Sequence, residues 1–325
     1  MVAIDLGGTS CRAALVDEAM AVVAQRTVGT PASAARLQDQ IAQLVADFRV
    51  IASGQRAEVQ GICIGFPGVV HPLTQGIRQA PNVDDAEGHG LQQALQAALA
   101  IPVHLENDVN LAALAELDAR VADGPQSLVL LSVGTGLGAG LVVHGRVWQG
   151  RDGGAGEVGS LSPSAQGLRI LRRVLPNVVA PTVEDLVSGK GLARLYQTLR
   201  AESGLQSTQP PFDYRQVPQL FDWAQSGDTV AQDSIRMVAE ELACVVAQLE
   251  HVLNPALYVL DGGLGARAEF RAQVNHALPP QGPQVQASRF DSGLSGQGQT
   301  WATPGQAGAA LLALSRLAPC PNTSH

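Results

Sequence analysis

The sequence predicts a two-part α/β protein made by internal duplication, and three observations carry that reading. Residues 2–5, 12–16 and 21–29 are consecutive strand-like runs, the first two joined by the turn Gly7-Gly8-Thr9, after which strands and helices alternate. The same opening recurs at 128–133, where a strand, the glycine turn Gly134-Thr135-Gly136-Leu137-Gly138 and a second strand at 140–144 follow one another. Finally, 325 residues with 46% apolar content suffice to bury the cores of two ordinary domains.

In order along the chain, residues 35–50 carry Leu37, Ile41, Leu44, Val45 and Phe48 at helical spacing. Residues 59–66 return to a strand that stops at Pro67-Gly68. A short helix is expected at 91–100, a buried strand at 103–106 and an alanine-rich helix at 109–121. After the repeated strands, with a third at 146–150, the chain turns helical at 168–174, 183–187, 192–199 and 217–225. The longest helix, 230–253, puts Ile235, Val238, Leu242, Val245, Val246, Leu249 and Val252 on one stripe and ends at Asn254-Pro255. A strand at 257–260 runs into Asp261-Gly262-Gly263, and 304–317 is a last helix. Segments 201–211, 279–283 and 291–299 read as loops, and the tail from Pro319 as disordered.

The net charge of −8, with Lys190 the one lysine, argues against nucleic acid as a partner. No apolar run reaches bilayer-spanning length, and an opening that already reads as a buried strand leaves no room for a signal peptide. Cys11, Cys63, Cys244 and Cys320 form no CxxC pair and read as reduced thiols of a cytoplasmic protein, the first three buried.

Three motifs carry chemistry. The turn Gly7-Gly8-Thr9 lets backbone amides approach a phosphate, and the Thr9 and Ser10 hydroxyls add donors; the alternative is an ordinary glycine hairpin. Asp5, at the end of a buried strand, is costly unless it holds something positive, and Mg²⁺ with its waters is the natural candidate. The second turn, Gly134 to Gly138, is neither a Rossmann nor a Walker loop, because a strand follows and no Lys succeeds the last glycine. Between the turns, Glu106-Asn107-Asp108 ends a strand and opens a helix; Asp108 is either an N-cap or a working acid with Asn110 capping instead. Glu157 is a further acid, set among the glycines of 153–159. Two phosphate-cradling turns with a strand-end Asp between them describe transfer of a phosphoryl group from ATP to a hydroxyl.

With the two glycine turns, Glu-Asn-Asp and Gly156-Glu157-Val158-Gly159 in this order, nearly the whole chain resembles the bacterial glucokinases and the related repressor–ORF–kinase (ROK) sugar kinases. That resemblance implies the actin/hexokinase/Hsp70-like ATPase fold, a ribonuclease H-like duplicated core. It implies a small α/β domain at 1–107, completed by a C-terminal helix at about 304–318, and a large α/β domain at 108–303. Ser188-Gly189-Lys190-Gly191-Leu192 resembles the Ser-Gly-x-Gly-Leu segment of those kinases, which puts Glu184 at a sugar-binding position. By the same resemblance Asp108 is the catalytic base, and Asn82, Asn107, Glu157 and Glu184 hold sugar hydroxyls, with Ser160 beside them. Asp5, Gly7, Gly8, Thr9, Ser10, Gly134, Thr135 and Gly136 serve the nucleotide phosphates and, through water on Asp5, Mg²⁺; Gly262 and Gly263 form the adenosine turn.

Two departures accompany the resemblance. The family pattern Gly-Glu-x-Gly-His ends here in Ser160, so a hydroxyl replaces an imidazole. The CxCGxxGCxE zinc cluster is missing, since 161–174 holds no cysteine, which implies the zinc-free branch and no zinc; the helix-turn-helix extension of the repressor members is absent as well. The expectation is therefore an ATP- and Mg²⁺-dependent kinase acting at the primary hydroxyl of a hexose, glucose foremost. Its two domains would close around a small sugar, and it would work as a cytoplasmic homodimer without nucleic-acid or membrane partners. The alternatives are a kinase of another sugar (an N-acetylhexosamine, mannose or fructose) and a sugar-binding regulatory pseudokinase.

Overall fold

Antiparallel hairpins followed by parallel strands, each carried by apolar runs, set the architecture. The computed structural model describes residues 1–81, 83–88, 90–120, 124–204, 213–290, 301 and 303–317. The first strands are β1 (Val2–Leu6), β2 (Ser10–Val16) and β3 (Val22–Gly29), followed by helix α1 (Ala34–Gly54). Then come β4 (Ile62–Phe66), a small hairpin of β5 (Val69–Val70) and β6 (Ile77–Gln79), α2 (Gly90–Leu99), β7 (Val103–Asn107) and α3 (Asp108–Asp118). The repeat comprises β8 (Leu128–Val133), β9 (Leu137–Val143) and β10 (Arg146–Val147). The helical stretch holds α4 (Ala165–Val174), α5 (Gly189–Glu202), α6 (Val217–Gln225) and α7 (Thr229–Leu253). It is followed by β11 (Tyr258–Asp261), the short α8 (Gly262–Gly265), α9 (Ala268–Ala277), β12 (Val285–Ala287) and α10 (Pro304–Leu317). Strand order is β3-β2-β1-β4-β7 in one five-stranded sheet and β10-β9-β8-β11-β12 in the other. The two orders match one for one, an antiparallel three-strand meander beside two parallel strands, as the duplicated sequence predicts.

Contacts divide the chain into two compact units: 1–126 with 140–155 and 292–325, and 127–139 with 156–291. In the first, Leu37, Ile41, Val45 and Phe48 of α1 pack with Ile4, Ile62, Ile64 and Leu105 on one face of the sheet. The other face, Ala3, Ala14, Val16 and Cys63, is covered by Leu111 of α3 and by Ala309, Ala310 and Ala313 of α10. Helices α3 and α10 approach so closely that a Cβ at Gly308 would stand 1.8 Å from the Leu111 carbonyl oxygen. In the second unit, β11 pairs in parallel with β8 and β12, and α7 buries Ile235, Val238, Leu242, Val245 and Val246.

Several expectations need correction. Residues 183–187 form a turn, closed by Asp185, whose Oδ2 accepts from the Thr182 amide at 2.9 Å; the helix begins only at Gly189. Cys244 is exposed, on the outer side of α7, while Cys11 and Cys63 are buried as expected. Elements α9, β12 and the β5–β6 hairpin were not foreseen. The tail from Pro319, with Cys320, and the loop at 291–299 lie outside the described residues. Among the described residues no helix is long and apolar enough to cross a membrane.

Candidate active site

Strands β1, β4 and β7 run parallel, with Asp5 opposite Gly65 and Gly65 opposite Glu106. At the usual strand spacing, Asp5 and Glu106 stand about 10 Å apart on the backbone, near one edge of one sheet. The chain leaves β1 into the first glycine turn and leaves β7 into α3, so that turn and Asp108 emerge from the same edge.

The turn is held from beneath and bare at its tip. The Gly7 amide donates to the Ser10 carbonyl at 2.9 Å, Thr30 Oγ1 donates to the Gly7 carbonyl at 2.6 Å, and Gly8 and Thr9 are exposed. Asp5 is buried; its Oδ2 accepts from Thr303 Oγ1 at 2.7 Å, and the Arg12 guanidinium lies 3.8 Å away. Burial pushes the Asp5 carboxyl above the ordinary carboxylate range, against the pull of Thr303 and Arg12. Thr303 Oγ1 also accepts from the Gln306 amide at 3.1 Å, so one hydroxyl ties the start of α10 to Asp5.

In the Glu-Asn-Asp segment, the cap of α3 is Asn107: its Oδ1 accepts from the Asn110 amide at 2.9 Å. Neither of the two capping arrangements open in the sequence is the one found. Asn107 Nδ2 donates to the Gly68 carbonyl at 3.0 Å, so both ends of that side chain are engaged. The half-buried Asp108 is relieved of capping, its Oδ1 accepting from the neighbouring Val109 amide at 2.9 Å. Beneath them Glu106, 1% exposed, organises the segment. Its Oε1 accepts from the Asn107 amide and from Asn110 Nδ2, each at 3.0 Å, and its Oε2 accepts from Gln149 Nε2 at 2.7 Å.

In the second unit, the Gly134 amide donates to the Gly136 carbonyl at 2.9 Å and leaves Thr135 exposed at the tip. Asp261 pairs with Ser132, which delivers Gly262 and Gly263 beside this turn. Gly262 sits at φ +83°, with room for no Cβ: one would lie 2.8 Å from the Val133 carbonyl oxygen. On the other side, Glu184 Oε2 accepts from the Leu137 amide at 2.8 Å, and the Glu184 amide donates to the Gly159 carbonyl at 3.0 Å. Glu157 and Ser160 share a single 3₁₀ turn, the Ser160 amide donating to the Glu157 carbonyl at 3.1 Å, and both residues are exposed. Surrounding protein still desolvates the Glu157 carboxyl and raises its pKa, and the charge of Glu184 raises it further.

Thus Asp5, Gly7, Gly8, Thr9, Ser10, Asn107 and Asp108 gather in the first unit, and Gly134, Thr135, Gly136, Glu157, Ser160, Glu184, Gly262 and Gly263 in the second. Asn82 lies outside the described residues. Among the described residues no group of three or more His, Cys, Asp or Glu side chains could hold a metal ion. Sequence reasoning missed Glu106, Gln149 and Thr303. Two of them left a signal: Glu106 is a carboxylate next to Leu105 inside a strand expected to be buried, and Thr303-Pro304-Gly305-Gln306 has capping-box spacing.

The chain is similar to known proteins over most of its length. The chain is 30% identical over 322 residues to an N-acetyl-D-glucosamine kinase of Salmonella heidelberg, covering 96% of this chain and 98% of that one. It is 28% identical over 276 residues to a glucokinase of Halalkalibacterium halodurans, covering 81% and 80%. A crystallised ROK family glucokinase from Streptomyces griseus, in complex with glucose and AMPPNP, is 25% identical with a TM-score of 0.70, covering 96% of this chain and 98% of that chain. The repeated sheets are those of the actin/hexokinase-like ATPase fold. The family model matching residues 1–314 is that of the ROK family, and to this family the chain belongs.

Proposed function

We propose that this chain is an ATP-dependent sugar kinase that phosphorylates the primary hydroxyl of a hexose, with glucose as the first substrate to test. The observation that carries the reading is Asp108. Because Asn107 does the capping, a carboxylate stands at the head of α3 on the sheet edge that also bears the first glycine turn. Asp108 accepts the proton of the sugar hydroxyl as that oxygen attacks the γ-phosphorus in line. Glu157 and Glu184, with Ser160, hold other sugar hydroxyls, and the two glycine turns offer backbone amides to the phosphates. Asn107 contributes by fixing the direction of Asp108, since its own amide is engaged within the protein.

Asp5 suits a hydrated Mg²⁺: it is one buried carboxylate with Oδ2 on Thr303, and Mg²⁺ in such sites keeps several waters and takes one or two carboxylates besides phosphate. The ion would neutralise charge on the phosphates. Thr303 and Arg12 keep that carboxylate placed and pull against the burial that raises its pKa.

A second reading, an N-acetylhexosamine kinase, is favoured by Ser160. A short exposed hydroxyl leaves space for a bulkier substituent, and the N-acetyl-D-glucosamine kinase relative matches over nearly its whole length. A coupled ADP-release assay with ATP and Mg²⁺ against glucose, mannose, fructose, N-acetylglucosamine and N-acetylmannosamine decides between them. Turnover of glucose with the highest kcat/KM supports the first reading. A higher value for an N-acetylated sugar supports the second, and turnover of none of them overturns both.

A further inference from the structure

Segment 184–189 clasps the second glycine turn at both ends. Glu184 Oε2 accepts from the Leu137 amide at 2.8 Å, and the Gly189 amide donates to the Gly134 carbonyl at 2.8 Å. The Ser188 hydroxyl closes the clasp by donating to the Glu184 carbonyl at 2.8 Å. Gly136 is the residue that admits the carboxylate: a Cβ there would lie 2.4 Å from Glu184 Oε2 and 3.1 Å from its carboxyl carbon. The neighbouring Gly134 differs, since a Cβ on it would meet nothing within 4 Å. Gly159 supports the same carboxylate from the side of Glu157 and Ser160, its Cβ position lying 3.4 Å from Glu184 Oε2.

We infer that Glu184 is a shared strut, one oxygen bracing the phosphate-side glycine turn and the other facing sugar, so that Gly136 is a positioning residue for sugar binding. This rests on the sugar-kinase reading and deepens it. A residue classed with the nucleotide has its strongest steric constraint from a residue classed with the sugar. Bracing by a charged acceptor is the stronger kind of hydrogen bond, and its loss should be felt on both sides. Sugar and nucleotide binding are then linked through one side chain, and by reciprocity each strengthens the other by the same factor.

The test is calorimetric binding of glucose and of N-acetylglucosamine to the full chain, without nucleotide, for wild type, Gly136→Ala and, as a glycine outside the site at the end of α1, Gly54→Ala. In Gly136→Ala the added methyl takes the place of the carboxylate, and the sugar Kd should rise roughly tenfold or more, as for loss of a hydrogen bond to a charged group. In Gly54→Ala it should stay within about twofold, because the added methyl stands in open space. Glu184→Asp gives an independent arm should Gly136→Ala fail to fold: one methylene shorter, it loses the Leu137 amide, and Mg²⁺–AMPPNP binding measured without sugar should weaken roughly threefold or more. Unchanged sugar affinity in Gly136→Ala, equal weakening in both alanine variants, or unchanged sugar-free nucleotide affinity in Glu184→Asp overturns the strut. A wild type that binds neither sugar overturns the sugar-kinase reading instead, and the two failures are thereby distinct.

Discussion

Removing the Glu106 carboxylate should cost the protein more than its distance from solvent chemistry suggests, and the manner of removal should decide how much. Three donors converge on it: the Asn107 amide, Asn110 Nδ2 and Gln149 Nε2. Glu106→Ala strands all three. Asn110 is 2% exposed and bears the whole penalty of a buried unsatisfied donor, while Asn107 and Gln149 are half-buried and regain part of theirs from water. With about 1–3 kcal/mol for each stranded donor, weighted toward the lower end for the two wetter ones, the loss comes to roughly 3–5 kcal/mol. Glu106→Gln behaves otherwise. Its Oε1 keeps the Asn107 and Asn110 donors, its Nε2 faces Gln149, and a flip of the Gln149 amide turns that clash into a hydrogen bond. Only the charge assistance is lost, about 1 kcal/mol. Because the same donors orient Asn107 and the head of α3, Glu106→Ala should also lower kcat by roughly 10²-fold, as expected for a misplacement of about 1 Å, and Glu106→Gln by less than about tenfold. Chemical denaturation monitored by circular dichroism, alongside the coupled kinase assay, reads both quantities. A Glu106→Ala protein within about 1 kcal/mol of wild type would refute the network, and equal losses in the two variants would show that charge and not bonding pattern is what matters.

Asp108→Asn should keep sugar affinity and lose roughly 10²–10⁴-fold in kcat, since the amide preserves shape and not basicity; a variant retaining half the wild-type kcat removes the base assignment. Ser160→His should tighten glucose binding by about two- to tenfold, from one good hydrogen bond to a neutral hydroxyl, and unchanged or weaker binding in calorimetry would assign Ser160 to another sugar. Asp5 gives a pH prediction. Its folded pKa lies above the ordinary 3.8, so its contribution to stability is full below that value and is lost as pH rises through the raised folded pKa. Nucleotide-free Asp5→Asn should therefore gain stability relative to wild type as pH rises from about 4 toward neutrality, and it should not turn over ATP. An Asp5→Asn protein less stable than wild type at neutral pH would mean that the Arg12 attraction outweighs burial.

Elements with long apolar stripes could be read directly from the sequence: α7 and the opening meander appear within a residue or two of where periodicity sets them. What escaped was short or thinly buried. Helix α9 buries only Phe270 and Val274, and β12 only Val285, too little pattern to separate either from loop. The segment 183–187 misled because Val183, Leu186 and Val187 are all buried, a helix-like spacing that a turn also satisfies. Of the candidate site, the residue types were legible and the partnerships were not. Spacing identifies Asp108 as a strand-end acid but not Asn107 as its cap, because capping depends on which side chain first reaches the Asn110 amide. It identifies Glu184 only through resemblance, since its contact with Leu137 spans 47 residues. Long-range hydrogen bonds leave no periodic trace.

The helix α10 closes the first unit from the far end of the chain, and this shapes how the protein must be made. Ala3, Ala14 and Cys63 face Ala309, Ala310 and Ala313 across nearly the full length of the polypeptide. During synthesis, therefore, one side of the first sheet has only α3 to cover it while some two hundred residues, the second unit among them, leave the ribosome. Premature termination between α3 and residue 304 would release a chain with the α10 side of that apolar sheet face uncovered and a natural client for chaperones or for aggregation.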